Sequence, residues 1–256
     1  MKKIKNRRKK MSGKKIICML AVVFASIAAG AQKSVIEGGT IEYERKTNLH
    51  KLNGDNEWFA RMKDQVGKYH INYFDLTFTP EKAIYKPGKE YANTSGWFAP
   101  ACNDNTVYTD LQTGKVTASK KLLEDAFILQ DSIHHVKWKI TNDYRNFLGF
   151  ECRKAVGTVF DSVIVVAFYC EQIAVSTGPE GFGGLPGAIL GLAIPRMYTT
   201  WFATKFTKMD YANPPAIGEP PKKGKMVTPQ KLTTDLKAAM KDWGQYVNKI
   251  LWFVLV

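Results

Sequence analysis

Candidate metal ligands are few in this sequence. It has four histidines, of which His134 and His135 are adjacent and on a strand would point to opposite faces. A soft-metal site would need Cys102 to meet a histidine and a methionine in space, and no spacing in the chain requires this. The sequence therefore predicts no cofactor and no metal site, with a copper- or zinc-binding envelope-stress protein as an alternative.

Residues for hydrolysis are equally sparse. Asp125, Asp131 and Asp143 recur near predicted turns, where carboxylates usually cap backbone amides rather than form a catalytic pair. Ser176 precedes a glycine-rich stretch, but a serine nucleophile also needs a base and an oxyanion donor, which the pattern does not supply. We predict no catalytic residue and favour a non-enzymatic role, with a hydrolase as the second alternative.

Aromatic side chains are the other candidate functional groups. They recur along the predicted strands and loops, and could either form the core or line a concave sheet face that accepts an apolar ligand. The core is the simpler interpretation for most of them. The candidates for contact with an apolar ligand are Trp97, Phe98 and Trp201.

A glycine-rich stretch from Gly178 to Pro195 must be positioned by the rest of the chain. Pro186 and Gly187 suit the two central positions of a type II turn, and the apolar run from Ala188 to Ile194 predicts a strand buried on both faces. No Lys-Ser or Lys-Thr pair follows, so the stretch is not a phosphate-binding loop. Its carboxylate, Glu180, has no evident partner in the sequence.

The N-terminus carries an export signature. Residues 1–31 hold nine of the 37 basic residues and no acidic one, and the apolar run from Ile16 to Ala29 ends in small residues. We predict a signal peptide over residues 1–31, cleaved after Ala31, and a periplasmic or cell-envelope location. The remaining chain has 28 basic and 23 acidic residues, so its mild charge argues against nucleic acid as a partner.

Three cysteines follow the predicted signal peptide. Folding the runs 152–160 and 163–170 as a hairpin brings Cys152 within about one residue of register with Cys170. Export favours oxidation, so we predict a disulfide between them and leave Cys102 as the odd thiol.

The alternating patterns predict a mainly β (α+β) fold, with a single curved antiparallel sheet or half-barrel and a C-terminal helix. The expected divisions are a β-rich domain over residues 32–208, a Pro/Gly/Lys linker over 209–227, and a helix with an apolar tail over 228–256. Thr228 and Pro229 stand in the order expected of an N-cap and a first-turn proline. The apolar tail should pack on the sheet or on another chain.

Part of the sequence resembles the GLPGLI family of exported proteins of Bacteroidota. The motif residues are Gly178, Pro179, Phe182, Gly184, Leu185, Pro186 and Gly187, preceded by Lys137-Trp138 and Gly149-Phe150-Glu151-Cys152. Departures include Ala188 in place of leucine and Phe168 in place of tryptophan. The resemblance implies export and a β-rich domain, and it carries no mechanism.

Taken together, the sequence predicts an exported envelope protein that binds an apolar small molecule or a partner envelope protein on a curved β-sheet. Association of the protein with a membrane surface is a further expectation.

Overall fold

Twelve β-strands form one open, curved sheet in the computed structural model, which describes residues 35–122, 124–133, 136–160, 162–244 and 246–256. The predicted signal peptide, His134 and His135 lie outside the described residues. The strands are β1 (Gly39–Asn48), β2 (Tyr69–Phe78), β3 (Lys82–Pro87), β4 (Thr106–Asp110), β5 (Lys115–Leu122), β6 (Asp125–Ser132), β7 (Lys139–Phe147), β8 (Phe150–Val159), β9 (Val163–Cys170), β10 (Ala188–Ile194), β11 (Thr199–Lys208) and β12 (Lys225–Val227).

The strand order across the sheet is β12-β6-β5-β4-β3-β2-β1-β11-β10-β9-β8-β7. Neighbours are antiparallel, except for the parallel pair of β12 with β6. Most pairs are hairpins of consecutive strands. The pair of β1 with β11 joins the two halves of the sheet, which are β1 to β6 with β12 and β7 to β11. The predicted fold class, mainly β with one curved sheet and a C-terminal helix, is confirmed.

Burial alternates along β1, where the inward positions include Ile41, Tyr43, Arg45 and Thr47. This period of two is the expected signature of a strand with one face on the core. By contrast, β10 is buried at nearly every position, as its unbroken apolar run indicated.

Four α-helices complete the described part of the fold: α1 (Leu49–Leu52), α2 (Glu57–Met62), α3 (Pro229–Ala239) and α4 (Tyr246–Leu255). The Thr228 side chain caps α3 by accepting from the Lys231 backbone N–H at 3.2 Å. The apolar tail is the helix α4, whose buried residues join the main core. None of the described helices has the length and apolar character needed to cross a membrane.

A second, smaller hydrophobic cluster lies beside the main core and contains Leu49, Phe59, Val66 and Phe98. It fixes α1 and α2 against the irregular connection between β3 and β4. The predicted linker is also not wholly irregular, because its last three residues pair with β6 as β12.

The described residues contain no disulfide, so the predicted Cys152–Cys170 bond is absent from this structure. The β8–β9 ladder runs to Arg153 opposite Tyr169, and the next position along it would place the two cysteines opposite each other, as the hairpin register indicated. Both side chains are buried. Cys152 Sγ donates to the Phe150 carbonyl at 3.6 Å, and a hydrogen bond with the Cys170 thiol raises the pKa of Cys152. The structure therefore shows interacting thiols.

Candidate functional site

The glycine-rich stretch connects β9 to β10 and packs against the opposite half of the sheet. A short 3-10 turn, Pro179–Gly181, contacts β3 and β4. Trp138 Nε1 donates to the Gly183 carbonyl at 2.9 Å, and the Gly184 N–H donates to Ser176 Oγ at 2.8 Å. These contacts fix the stretch, which we call the glycine segment (residues 178–187), across the interior of the curved sheet.

The predicted type II turn in this segment is wrong. The Gly187 N–H donates to the Leu185 carbonyl at 2.8 Å, which closes a three-residue turn centred on Pro186. Glycine is required at 187 by close packing, because a Cβ there would lie 2.1 Å from the Cys170 carbonyl oxygen. The constraint is therefore mainly the approach of the segment to the end of β9.

Glu180 carries the only charge of the glycine segment and is almost fully buried. Its φ of 55° is in the left-handed region, which is uncommon for a residue with a side chain. Its carboxylate accepts from Lys120 Nζ at 3.1 Å and from Asn105 Nδ2 at 2.9 Å, and it lies 3.4 Å from Arg45 Nη1. The expectation that Glu180 lacks a partner is thus corrected, since β1, β5 and the connection before β4 each supply one.

Glu180 is the shared partner in this buried charge cluster, which consists of Glu180, Arg45, Lys120 and Asn105, and Arg45 extends its contacts furthest. Besides Glu180, its guanidinium donates to the Cys102 carbonyl at 3.2 Å and to Asn103 Oδ1 at 2.7 Å. It also donates to Asn72 Oδ1 at 3.0 Å and packs over the ring of Phe74. Cys102, like Glu180, has a positive φ, of 56°. Arg45 therefore joins two irregular segments, each at a left-handed residue.

The cluster alters the pKa values of its members and neighbours. Burial alone would raise the pKa of Glu180, but the attraction of Lys120 and Arg45 brings it below its ordinary value. Burial raises the pKa of the Cys102 thiol to about 11. Burial, together with the charge of Arg45, lowers the pKa of His70 to about 4. At neutral pH the Glu180 carboxylate is thus ionised, whereas the nearby Cys102 thiol and His70 imidazole are neutral.

These protonation states bear on the chemistry suggested by the sequence. A neutral, buried thiol is a poor nucleophile and a poor metal ligand, because both roles require the thiolate. Within the described ranges, no three His, Cys, Asp or Glu side chains group as a metal site would. Ser176 accepts from a backbone amide, and Asp131 and Asp143 bind a neighbouring amide and Lys154, respectively.

A cleft of about 650 Å³ lies beside the glycine segment. One part of its lining is residues 174–176 together with Gly184, and another is the β4–β5 turn around Thr113 in the other half of the sheet. Its apolar lining consists of Pro80, Leu111, Ile133, Val136, Ala174 and Val175. A separate cavity of about 30 Å³ is lined in part by Lys120 and Glu180, and residues 254–256 help to close it. Glu180 itself is enclosed in the protein, whereas the cleft is open to a ligand from solvent.

The three aromatic residues predicted to contact a ligand lie in different environments and do not form one surface. The Trp97 side chain is 88% exposed. Phe98, the next residue, is buried in the smaller cluster, and Trp201 is buried in the main core beside Arg45 on the adjacent strand. None of the three lines the cleft.

The residues of the charge cluster were missed because their partners are distant in sequence. Signals for the two cations were present, since Arg45 continues the inward alternation of Ile41 and Tyr43 on β1, and Lys120 stands between inward Ala118 and Leu122. A charged residue at a core position usually has a buried counter-ion. That rule would have nominated Arg45 and Lys120, and Glu180 as the carboxylate among apolar neighbours.

Comparison with known proteins gives one short family match. The model of a Bacteroidota-associated domain, described as "Protein of unknown function (Porph_ging)", matches residues 157–191. No curated protein matches the chain. Among solved structures, the chain is similar to PNGF-II in two crystal forms, with 14% identity and a TM-score of 0.48.

The alignment with PNGF-II covers 75% of this chain but only 31% of the PNGF-II chain, so this chain spans less than a third of that protein. An uncharacterized conserved protein from Thermus thermophilus is also similar, with 7% identity and a TM-score of 0.38, over 80% of this chain and 99% of that one. The residues matched by the family model run from β8 to β10 and include the glycine segment with Glu180.

Proposed function

We propose that this chain is a non-enzymatic binding protein that holds an apolar ligand, or an apolar segment of a partner protein, in the cleft beside the glycine segment. The observation that carries the proposal is the cleft itself. Its volume of about 650 Å³ lies within the range of about 300–1,000 Å³ usual for ligand sites.

The chemistry of the lining supports an apolar ligand. Six of the twelve lining residues are aliphatic or proline, two are glycine, and four are polar or charged: Glu37, Thr113, Ser132 and Ser176. Such sites bind mainly by burying apolar surface, and their few polar groups orient the ligand. Among the described residues, the groups whose pKa values are most strongly shifted lie away from this lining, which favours binding over catalysis: Tyr43, His70, Tyr85, Cys102 and Cys152.

Both of these parts of the cleft lining are held in place. The glycine segment is fixed by the buried carboxylate of Glu180. The β4–β5 turn is fixed by Asp110 Oδ1, which accepts from the Gln112 and Thr113 amides, and by the Ile133 N–H, which donates to the Gly114 carbonyl. A preformed site loses little entropy when it binds, so the described geometry suits reversible capture of a ligand.

We also propose that the protein acts in the cell envelope as an exported GLPGLI-type protein. The order and spacing of the motif around the glycine segment and the N-terminal charge pattern support this. Sequencing the N-terminus of the protein recovered from its own cells tests the export step. A mature chain that begins at Gln32 is expected, and retention of residues 1–31 would contradict the proposal.

Binding can be tested with the apolar fluorophore N-phenyl-1-naphthylamine, excited directly so that protein tryptophans do not contribute. Its fluorescence should rise on addition of the full chain. Ala174 and Thr113 line the cleft from these two parts of the chain and their side chains are exposed, so Ala174→Trp and Thr113→Trp should fill the cleft without disturbing the core. Both variants should bind the fluorophore at least about tenfold more weakly. A filled cleft would bury less of its apolar surface, and a tenfold loss corresponds to the burial of a few methylene groups.

The matched control is Thr158→Trp, which adds the same side chain at an exposed position of β8 outside the cleft. It should bind like the unmodified chain. Equal binding by all three variants, or no binding by the unmodified chain, would show that the cleft is not a site for apolar ligands.

A further inference from the structure

Four aromatic side chains are exposed around the first half of β2, and we call them the aromatic rim: Trp58, Tyr69, Tyr91 and Trp97. Their exposed fractions are 52%, 42%, 50% and 88%. We propose that the aromatic rim docks the protein on the surface of a lipid bilayer with anionic headgroups. This site is separate from the cleft and does not depend on the function proposed for it.

Trp97 is presented on a fixed loop. It lies in the 3-10 turn Gly96–Phe98, and the adjacent Phe98 is anchored in the smaller core cluster, where its ring lies 4.9 Å from that of Phe59. Ser95 Oγ is 2.6 Å from His70 Nδ1, which ties the loop to the start of β2. The indole therefore projects into solvent from an ordered support, at the cost of leaving a large apolar surface in water.

Trp58 extends the same apolar surface. Its ring packs against that of Phe98 in a tilted arrangement, with centroids 4.8 Å apart, so both tryptophans adjoin the anchored Phe98. Neither tryptophan lines the cleft or the small cavity beside Lys120, and both side chains are more than half exposed. Such exposed rings suit entry into a soft phase better than enclosure of a ligand. Tryptophan and tyrosine are the residues enriched where protein meets the headgroup level of a membrane.

Lysine ammonium groups lie over two tyrosine rings of β2, Tyr69 of the rim and the nearby Tyr73. Lys46 and Lys68 lie 5.6 and 5.3 Å over the ring of Tyr69. Lys89 lies 4.1 Å over Tyr73, whose ring contacts that of Tyr91 at 6.1 Å. Lys46 pairs with Glu44, whereas Lys68 and Lys89 have no carboxylate within ion-pair distance in the described part of the chain.

This combination of aromatic rings with unpaired ammonium groups favours a lipid bilayer over a protein or a glycan as the binding partner. Lysine is depleted from the cores of protein–protein interfaces, and here lysines sit among the rings. In a bilayer interface the rings lie at headgroup level while ammonium groups attract anionic lipids, which is complementary to the rim on both counts. The lysines also cover faces of Tyr69 and Tyr73, which leaves less ring surface for stacking against a sugar.

Hydrogen–deuterium exchange on the full chain locates the contact. With phosphatidylcholine vesicles that contain phosphatidylglycerol, exchange should slow in peptides covering residues 57–69 and 89–98, and not in a peptide covering 162–170. Vesicles of phosphatidylcholine alone should protect these peptides less. This measurement separates the rim from residues 1–34, whose basic and apolar sequence could itself bind vesicles.

Co-sedimentation with the same vesicles tests the side chains. Trp58→Ala combined with Trp97→Ala should weaken vesicle binding about tenfold or more, because burying one aromatic side chain contributes more free energy than a tenfold change in affinity requires. Trp243→Ala removes a tryptophan of similar exposure outside the rim, 51%, and should leave binding unchanged. Protection confined to residues 1–34, or equal binding by the two variants, would overturn the proposal, as would binding of a soluble protein or glycan at the rim without vesicle protection.

Discussion

Arg45 Nη1 lies 3.4 Å from Glu180 Oε1, and each side chain is about 1% exposed, although 135 residues separate them in sequence. Glu180 also pairs with Lys120, so one buried carboxylate faces two buried cations. Such a cluster is costly to desolvate and becomes strongly unfavourable when one member is removed. Its position explains how a glycine-rich segment with little side-chain volume is held at a defined place inside the sheet.

Replacing Glu180 should therefore destabilise the whole fold. Glu180→Gln keeps the shape but leaves Arg45 and Lys120 without their counter-charge, and it should lower the free energy of unfolding by about 3–5 kcal/mol. Urea unfolding followed by circular dichroism measures this. Lys231→Gln breaks the exposed Lys231–Asp235 pair on α3 and should cost less than about 0.5 kcal/mol. If the two variants are equally stable, the buried cluster does not hold the segment.

The pH dependence of stability should report on His70. Its pKa in the folded chain is about 4, against about 6.5 in an unfolded chain. The unfolded chain therefore takes up the proton first as the pH falls. The contribution of His70 is complete above about pH 6.5, declines as the pH falls towards 4, and is lost below that value. His70→Gln should flatten the stability curve between these limits.

Glu180 provides the control for this pH profile. Because its pKa in the folded chain is lowered, its contribution is present above the unfolded value of about 4.3 and is lost only as the pH falls further, through the folded value. Glu180→Gln should accordingly keep the decline between pH 6.5 and 4 while removing part of the loss at lower pH. A His70→Gln variant with an unchanged slope would show that another group is responsible.

Much of the sheet could be predicted because its strands are local hairpins with alternating burial. The runs 152–160 and 163–170, which form most of β8 and β9, pair with each other as the predicted hairpin, and period-two patterns identify such pairs. The pairing of β1 with β11 could not be predicted, since nothing local links residues 39–48 to 199–208. β12 was missed because three residues after a proline-rich stretch form no detectable pattern.

The charge cluster could not be predicted from the sequence for a related reason. An inward cation can be recognised from the alternation around Arg45, but its partner is chosen by the path of the glycine segment through the interior. That path depends on packing among Gly181, Val107 and Val116, which lie on different elements. The cleft is likewise the space left between two irregular connections, so no periodic pattern encodes it.

Gly187 is constrained by its surroundings and should not tolerate a side chain. A Cβ at this position would lie 2.1 Å from the Cys170 carbonyl oxygen, so Gly187→Ala forces the backbone of the glycine segment or of β9 to shift. We expect a loss of about 1–3 kcal/mol, typical of overpacking, visible as a lower melting temperature. Gly218 has no atom within 4 Å of its added Cβ, and Gly218→Ala should leave the melting temperature the same or slightly higher.

Gly191 on β10 lies between two aromatic residues of the adjacent strands, Phe168 and Phe202. The missing side chain leaves a space that the ring of Phe147 fills, with centroids 5.7 and 5.6 Å from the two neighbours. A Cβ on Gly191 would lie 2.6 Å from that ring. Gly191→Ala should therefore destabilise the chain by about 1–3 kcal/mol through overpacking.

A double-mutant cycle shows whether this cost comes from Phe147. In a Phe147→Ala background the ring is gone, so adding a methyl group at 191 should cost little or restore part of the lost packing. The coupling free energy between the two substitutions should then exceed about 0.5 kcal/mol, the level at which contacting residues depart from additivity. If the two changes in the free energy of unfolding are additive in urea unfolding, the ring moves aside freely. The contact with Phe147 is then not the reason that β10 requires glycine at position 191.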